Sequence, residues 1–214
     1  MLLTDYELDI TKELFNIGLA NSADAFSKLT KEKVLINGFD LSVIGASSMD
    51  QVLKEYTAEP LCVLTTAVRG NLRGVSYLLF DQSDLERLGK IFLPDVPYQA
   101  GAPISEFGQA LLLELDNILS AAVVTQLSNF LSVFTYGDVP ALRMLTASQT
   151  LASFKAETGP YDVIFNVRAR FKSYQTNLQP SFVWFFSSDF ITAIKQLIQD
   201  KQQLSLLKSE VTKT

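Results

Sequence analysis

Two pairs of polar side chains lie in otherwise apolar helical segments of this chain. Glu13 is followed three residues later by Asn16, and Glu114 is followed three residues later by Asn117. On an α-helix, residues three apart share a face with Cβ atoms about 5–6 Å apart, so each pair presents a carboxylate and an amide together. An amide donates and accepts hydrogen bonds, and a carboxylate can pair with a cation. Each pair is therefore a candidate catalytic or binding group.

The composition limits the chemistry open to these pairs. The 214 residues include no histidine and one cysteine, which excludes Ser-His-Asp and Cys-His nucleophile activation and His-ligated zinc. Neither pair has enough further ligands nearby in sequence to hold a metal ion, so we expect the chain to bind no metal and no cofactor of its own. Cys62 stands in an apolar, strand-like segment and is predicted to be a buried, inert thiol.

The charge and the apolar segments indicate a soluble, cytoplasmic protein. A net charge of -5 and the lack of any block of lysine or arginine argue against a nucleic-acid partner. The N-terminal residues have neither the basic region nor the apolar run of a signal peptide. Segment 110–124 is the most apolar, but Glu114, Asp116 and Asn117 interrupt it, so we expect no membrane-spanning helix.

The two pairs belong to an internal repeat. Asn117 follows Asn16 by 101 residues, and at about this offset the element order α, β, α, β, β, α occurs twice. Segments 5–29 and 104–130 are predicted as the two long helices. The first has a capping box in "TDYE", and the second has Pro103, which suits a first helical turn. These features favour an α/β (α+β) fold with pseudo-twofold symmetry.

The other elements of each repeat can also be assigned. Strand candidates "KVLINGFDLSVIG" and "VPALRML" follow the long helices, and short helices are predicted near 48–56 and 149–155. Two strand hairpins follow, one turning at Arg69 to Asn71 and one at 173–180, each before a final helix. The proline-rich stretch 93–103 joins the halves. We therefore predict one domain, 1–214, whose repeats (about 1–100 and 101–200) share an antiparallel sheet with both long helices on one side.

The residues around the first pair resemble the signature of the CheC, CheX and FliY family of chemotaxis phosphatases. That signature is Asp or Ser, three residues, Glu, two residues, Asn, twenty-two residues, Pro. Asp9, Glu13 and Asn16 match it, whereas Phe39 stands at the proline position. The run "ELFNIGLANSADAFSKL" is similar to the family's "ExxNIGxxxAxxALSxL" and is the most specific part of the resemblance.

The second half matches the same signature with a different departure. Glu114, Asn117 and Pro140 match, whereas Ala110 stands at the Asp or Ser position. The resemblance covers almost the whole chain, because CheC proteins are of similar length and consist of two such halves. Duplication of the motif at the expected spacing makes it more specific than either copy alone.

The resemblance implies a function and partners. It implies hydrolysis of the aspartyl phosphate of CheY or a similar response regulator, with the magnesium ion held by the regulator. Asn16 or Asn117 would hold a water in line with the phosphorus, and Glu13 or Glu114 would pair with the regulator's lysine. The resemblance also implies the receptor deamidase CheD as a candidate second partner.

Alternatives to the phosphatase interpretation remain at this point. Each pair, taken singly, is what the solvent face of an amphipathic helix presents. Because Phe39 and Ala110 make each site imperfect, a CheC-like adaptor of the chemotaxis or flagellar switch apparatus with little turnover is the second interpretation. An unrelated small-molecule enzyme has little support, since the sequence has no glycine-rich phosphate loop. The sequence does not favour one half over the other.

Overall fold

The computed structural model describes residues 3–54, 56, 60–92, 103–157, 163–172, 177, 178 and 180–211. The described helices and strands occur in the following order: α1 (Asp5–Thr30), β1 (Leu35–Val43), a 3-10 turn (Ala46–Ser48), α2 (Asp50–Leu53), β2 (Leu61–Gly70), β3 (Gly74–Phe80), α3 (Gln82–Phe92), α4 (Glu106–Leu131), β4 (Thr135–Gly137), β5 (Ala141–Leu145), α5 (Ala147–Glu157), β6 (Val163–Lys172), β7 (Asn177–Leu178), β8 (Ser181–Phe186) and α6 (Ser188–Val211). This is a mixed α/β fold, as predicted, and the linker 93–102 and most of 173–180 lie outside the described residues.

The strands form one antiparallel sheet in the order β1-β6-β8-β3-β2-β4. β5 follows β4 along the same edge of β2, and β7 pairs with the end of β6. The central pair, β3 with β8, joins the first half to the second. The predicted hairpin of β2 and β3 is present, with Val68 opposite Gly74. The prediction of a shared antiparallel sheet is therefore confirmed.

The two halves exchange their outer elements across this sheet. β1 of the first half pairs with β6 of the second half, whereas β4 and β5 of the second half pair with β2 of the first. The long helices follow the same rule: Phe15 of α1 contacts the rings of Phe165 and Trp184, and Asp116 of α4 bonds to Thr66 of β2. Each half's hairpin is thus covered by the helix and flanked by the edge strand of the other half.

The two long helices have the same length and equivalent ends. Each has 26 residues, with Thr4 and Ser105 as the N-caps and left-handed residues, Lys31 and Ser132, after the last turn. The predicted capping box of α1 is confirmed by the bond from the Thr4 amide to Glu7 Oε2, 2.7 Å. The prediction that Pro103 lies in the first turn of α4 was wrong. The hydroxyl of Ser105 accepts the Gly108 amide at 3.1 Å and begins the helix there instead.

α1 and α4 lie side by side on one face of the sheet and touch closely near their middle. A Cβ added to Gly18 would lie 2.9 Å from the Cα of Val123, closer than real Cβ atoms come to other atoms. Beside it, the Ser22 hydroxyl donates to the Leu119 carbonyl oxygen at 3.2 Å. The glycine that the sequence places inside α1 therefore allows two helix backbones to approach each other.

The core has one layer on each face of the sheet. The larger layer joins α1, α4, α3 and α6 to one face, and the smaller joins α2 and α5 to the other. β3 and β8 are buried at every position because both faces are covered. Cys62 lies in the larger layer, fully buried, and burial raises the pKa of its thiol to about 12, with the nearby Asp116 carboxylate adding to the effect. The predicted inert thiol is thus buried.

Within the described residues, α4 is long and apolar enough to cross a membrane by length and composition alone. The expectation that three polar residues would exclude such a helix was wrong on those two criteria. In the structure, α4 packs along α1 and against β2 and β4, with Val123, Val124 and Leu127 buried. This packing gives the helix an apolar face toward the core and a polar stripe on the other side.

Candidate functional site

The first pair lies on the outer face of α1. Glu13 and Asn16 are exposed, while the two residues between them, Leu14 and Phe15, are buried. The ring of Phe15 lies 5.7 Å from that of Trp184, edge to face, and this contact fixes the rotation of the helix on the sheet. The carboxylate and the amide therefore point away from the sheet.

The second pair has the same placement on α4. Glu114 and Asn117 are exposed, and Leu115 and Asp116 between them are buried. All four side chains of the two pairs are therefore accessible at the surface. Both pairs lie at equivalent positions of the repeat, and their catalytic roles stay a prediction.

A buried carboxylate holds α4 in place. Asp116 is fully buried; the hydroxyl of Thr66 donates to its Oδ2 at 2.6 Å and that of Ser120 to its Oδ1 at 3.1 Å. The Ser76 hydroxyl lies 3.4 Å from that of Ser120. Burial raises the pKa of Asp116 to about 6, although the two hydroxyl donors oppose the rise. We call Thr66, Ser76, Asp116 and Ser120 the polar tetrad.

No such group lies at the equivalent positions of α1 and of the hairpin that it covers. At the offset of 101, Phe15 corresponds to Asp116, Leu19 to Ser120 and Val167 to Thr66. Phe182 corresponds to Ser76, since it pairs with Val167 as Ser76 pairs with Thr66. All four counterparts are buried and apolar. The two sites are therefore alike on the surface and differ in what anchors the helix beneath them.

Sequence reasoning missed the burial of Asp116. It treated this residue as one of three polar interruptions of an apolar segment, although a signal was available. Asp116 lies four residues from Leu112 and seven from Val123, which places it on the buried face of the helix, whereas Asn117 is turned by about 100°. The carboxylate next to the candidate amide is structural rather than part of the exposed pair.

The residues at the Asp or Ser position of the motif are both exposed. Asp9 lies one turn before Glu13, is exposed, and forms an ion pair of 3.6 Å with Lys12. Ala110 is the corresponding residue before Glu114 and is also exposed. The first site therefore carries one more carboxylate than the second.

The residues at the proline position lie at interruptions of the edge strands. Pro140 is half-buried and falls between β4 and β5, where an edge strand tolerates a residue without an N–H group. Phe39 follows a register shift in β1 that includes Gly38, whose φ is 107°. The first half thus bends its edge strand with a glycine bulge where the second half uses a proline. The supporting role of Pro140 stays a prediction.

Among the described residues, no group of three or more acidic or cysteine side chains is placed to hold a metal ion. Each Glu–Asn pair supplies one carboxylate and one amide. Such a pair can orient a water molecule and bind a cationic group. It has no strong nucleophile of its own.

Solved structures with the same fold are known, whereas no protein-family model matches the chain. FliY of Thermotoga maritima superposes with a TM-score of 0.70 and 17% identity, over 94% of this chain and 100% of that chain. A FliG–FliM complex of H. pylori gives 0.66 and 11%, over 89% and 100%. A CheC-like superfamily protein of Shewanella sp. PV-4 gives 0.51 and 12%, over 81% and 97%. The chain has the fold of the CheC, CheX and FliY family.

Proposed function

We propose that this chain hydrolyses the aspartyl phosphate of a CheY-like response regulator in bacterial chemotaxis signalling. The observation that carries the proposal is the display of two exposed Glu–Asn pairs at equivalent positions of two 26-residue helices. The match of both pairs to the CheC, CheX and FliY signature supports it. So does the fold, which is that of chemotaxis proteins.

The amides of Asn16 and Asn117 are assigned to the attacking water. Each amide can accept a hydrogen bond from the water and donate one to a phosphoryl oxygen, which aligns the water with the phosphorus. The water adds to phosphorus, the bond between phosphorus and the aspartyl oxygen breaks, and inorganic phosphate leaves with a proton released to solvent. Orientation and electrostatics are sufficient for such a transfer, since each tenfold acceleration requires about 1.4 kcal/mol. The magnesium ion that neutralises the phosphoryl charge belongs to the regulator.

The carboxylates of Glu13 and Glu114 are assigned to docking. A charge-assisted bond from the regulator's lysine to either carboxylate fixes the register of the two proteins. The rigid helix beneath then sets the distance from that ion pair to the amide three residues later. The proposal places the protein in the cytoplasm, where response regulators act. CheD stays a candidate partner on the resemblance alone.

A second candidate function is that of a binding or adaptor protein of the flagellar switch. The likeness to a chain of a FliG–FliM complex, with a TM-score of 0.66, favours it. The departures at Phe39 and Ala110 point the same way, because each makes one site differ from the signature. An adaptor would bind the regulator through the same helices without accelerating its dephosphorylation.

The decisive experiment compares turnover with binding for the purified full chain. Response regulators from the same cell are phosphorylated with a small phosphodonor, and phosphate loss is followed with and without catalytic amounts of the protein. Affinity is measured separately for each regulator held in the phosphorylated-like state with beryllofluoride. Catalytic acceleration for one regulator supports the phosphatase. Binding to a regulator without acceleration supports the adaptor, and neither result for any regulator contradicts both.

A further inference from the structure

Each motif helix presents an aromatic side chain to solvent near its beginning. Tyr6 of α1 is 60% exposed and Phe107 of α4 is 59% exposed. The two residues are 101 positions apart, which is also the offset between the two Glu–Asn pairs. Tyr6 and Phe107 are therefore equivalent positions of the repeat. A single exposed aromatic residue needs no explanation, but the same exposed ring at equivalent positions of both helices indicates a shared use.

The aromatic residues lie in line with the glutamates. Tyr6 precedes Glu13 by seven residues and Phe107 precedes Glu114 by seven. Seven residues are two helical turns, so each aromatic residue is attached within about 20° of its glutamate around the helix and about 10 Å from it along the axis. A partner that covers the pair is therefore able to reach the ring on the same face.

The exposed stripe continues with a small residue on the other side of each pair. Ala20 follows Asn16 by four residues, and Ala121 follows Asn117 by four; both are exposed. The order aromatic, Glu, Asn, Ala thus occurs on both helices. An alanine leaves the helix backbone open to close approach one turn beyond the amide. The rest of the stripe differs between the helices, as Asp9 and Ala110 illustrate.

The charge of the stripe indicates the kind of partner. Asp5, Asp9 and Glu13 are exposed on α1, where Lys12 pairs with Asp9, and Glu106 and Glu114 are exposed on α4. These carboxylates complement a partner whose surface is basic beside the phosphorylated aspartate. An aromatic ring adds buried area with little loss of side-chain freedom, which is why such residues dominate the binding energy of many interfaces.

We propose that Tyr6 and Phe107 are docking anchors that hold the receiver domain of the phosphorylated regulator on α1 and α4. This inference rests on the proposed function, and it adds a specificity element to it. The ring enters an apolar recess of the receiver domain, the glutamate pairs with the lysine, and the amide reaches the phosphoryl group further along the helix. Docking and catalysis are thus divided along a single helical stripe.

The test uses full-length variants in which one site works at a time. Tyr6→Ala is combined with Asn117→Ala, so that turnover reports the first site alone, and Phe107→Ala is combined with Asn16→Ala. The reference for each double variant is the protein with the asparagine substitution alone. Relative to it, we expect KM for the phosphorylated regulator to rise about tenfold and kcat to stay within about twofold, as for loss of an interface anchor. Tyr6→Phe keeps the ring and should restore KM.

Phe134→Ala provides a matched control, because Phe134 is 70% exposed but lies beyond the end of α4, off the stripe. We expect this variant to keep KM and kcat. An unchanged KM in both anchor variants, with an active parent, overturns the docking role while the phosphatase proposal stands. A fall in kcat alone overturns it as well, since a docking anchor does not act on the chemical step. A parent that neither binds nor dephosphorylates any regulator overturns both proposals.

Discussion

Replacing Asp116 with asparagine tests the physical interpretation of the polar tetrad. Burial raises the pKa of this carboxyl from 3.8 to about 6. At about 1.4 kcal/mol for each pKa unit, the ionised side chain costs about 3 kcal/mol of unfolding free energy at neutral pH. In Asp116→Asn, the amide oxygen can accept from Thr66 and the NH₂ group can donate to Ser120, so the hydrogen bonds are kept and the charge is lost. We therefore expect a gain of up to about 3 kcal/mol at pH 7.5.

The sign of the pH dependence follows from the raised pKa. The folded protein binds the Asp116 proton more tightly than the unfolded chain, so its stability contribution is fully present below about pH 4 and is lost as pH rises to about 6. The difference in unfolding free energy between Asp116→Asn and the parent should thus be near zero at pH 4 and grow through this window. The difference isolates one residue, because the other carboxyl groups titrate in both proteins.

The assay is denaturant unfolding of both proteins at pH 4, 5, 6 and 7.5. Asp9→Asn is the matched control, since Asp9 is exposed and its ion pair with Lys12 lies at the surface, where such pairs contribute little. We expect a small effect from the control at every pH. An Asp116→Asn variant that is less stable than the parent at pH 7.5, or a difference that does not change with pH, would refute the reasoning.

Two further predictions concern the helices themselves. Gly18→Ala should lower the unfolding free energy by about 1–3 kcal/mol in a denaturation experiment, because the new Cβ would lie 2.9 Å from the backbone of α4. This steric cost exceeds the preference of alanine for helices. A stabilised variant would contradict the close approach. Glu13→Ala and Glu114→Ala should lower both the affinity for the regulator and the rate of its dephosphorylation at low salt. The difference from the parent should shrink at high salt, where the ion pair is screened in the parent as well. A loss independent of salt would argue against an ion pair.

The outward direction of the two pairs could be predicted from the sequence. Leu14 and Leu115 lie on the apolar side of the helical pattern and the Glu–Asn pairs lie on the other side, so the pattern alone defines the exposed face. The capping box at Thr4 fixed the start of α1 for the same reason, since a local hydrogen-bond pattern decides it. Local chemistry of this kind is contained in a few neighbouring residues.

The exchange of elements between the halves could not be predicted in this way. The repeat pattern requires that each hairpin be covered by a long helix, but either α1 or α4 would satisfy the pattern. The structure pairs Phe15 with the second hairpin and Asp116 with the first. This choice depends on which side chains match across the interface, because Asp116 opposite Val167 would be a buried charge without a donor. Such long-range matching is not encoded in periodicity.

The start of α4 shows a smaller limit of the same kind. Pro103 and Ser105 are both residues that begin helices, and the sequence does not decide between them. The structure begins the helix after Ser105, whose hydroxyl accepts the Gly108 amide. The Ser105 cap satisfies one of the amides of the first turn, and Pro103 lies two residues before this cap, outside the helix.

The central claim, that the exposed amides position the attacking water, is tested most directly by one rate measurement. The decay of a phosphorylated regulator is followed with the variant Asn16→Ala/Asn117→Ala and with Asn21→Ala/Asn129→Ala, which removes two other exposed asparagines from the same helices. We predict that the first variant leaves the decay at the regulator's own rate while its affinity for the regulator stays within about threefold of the parent, and that the second keeps parental activity. Parental activity in the Asn16→Ala/Asn117→Ala variant would contradict the claim.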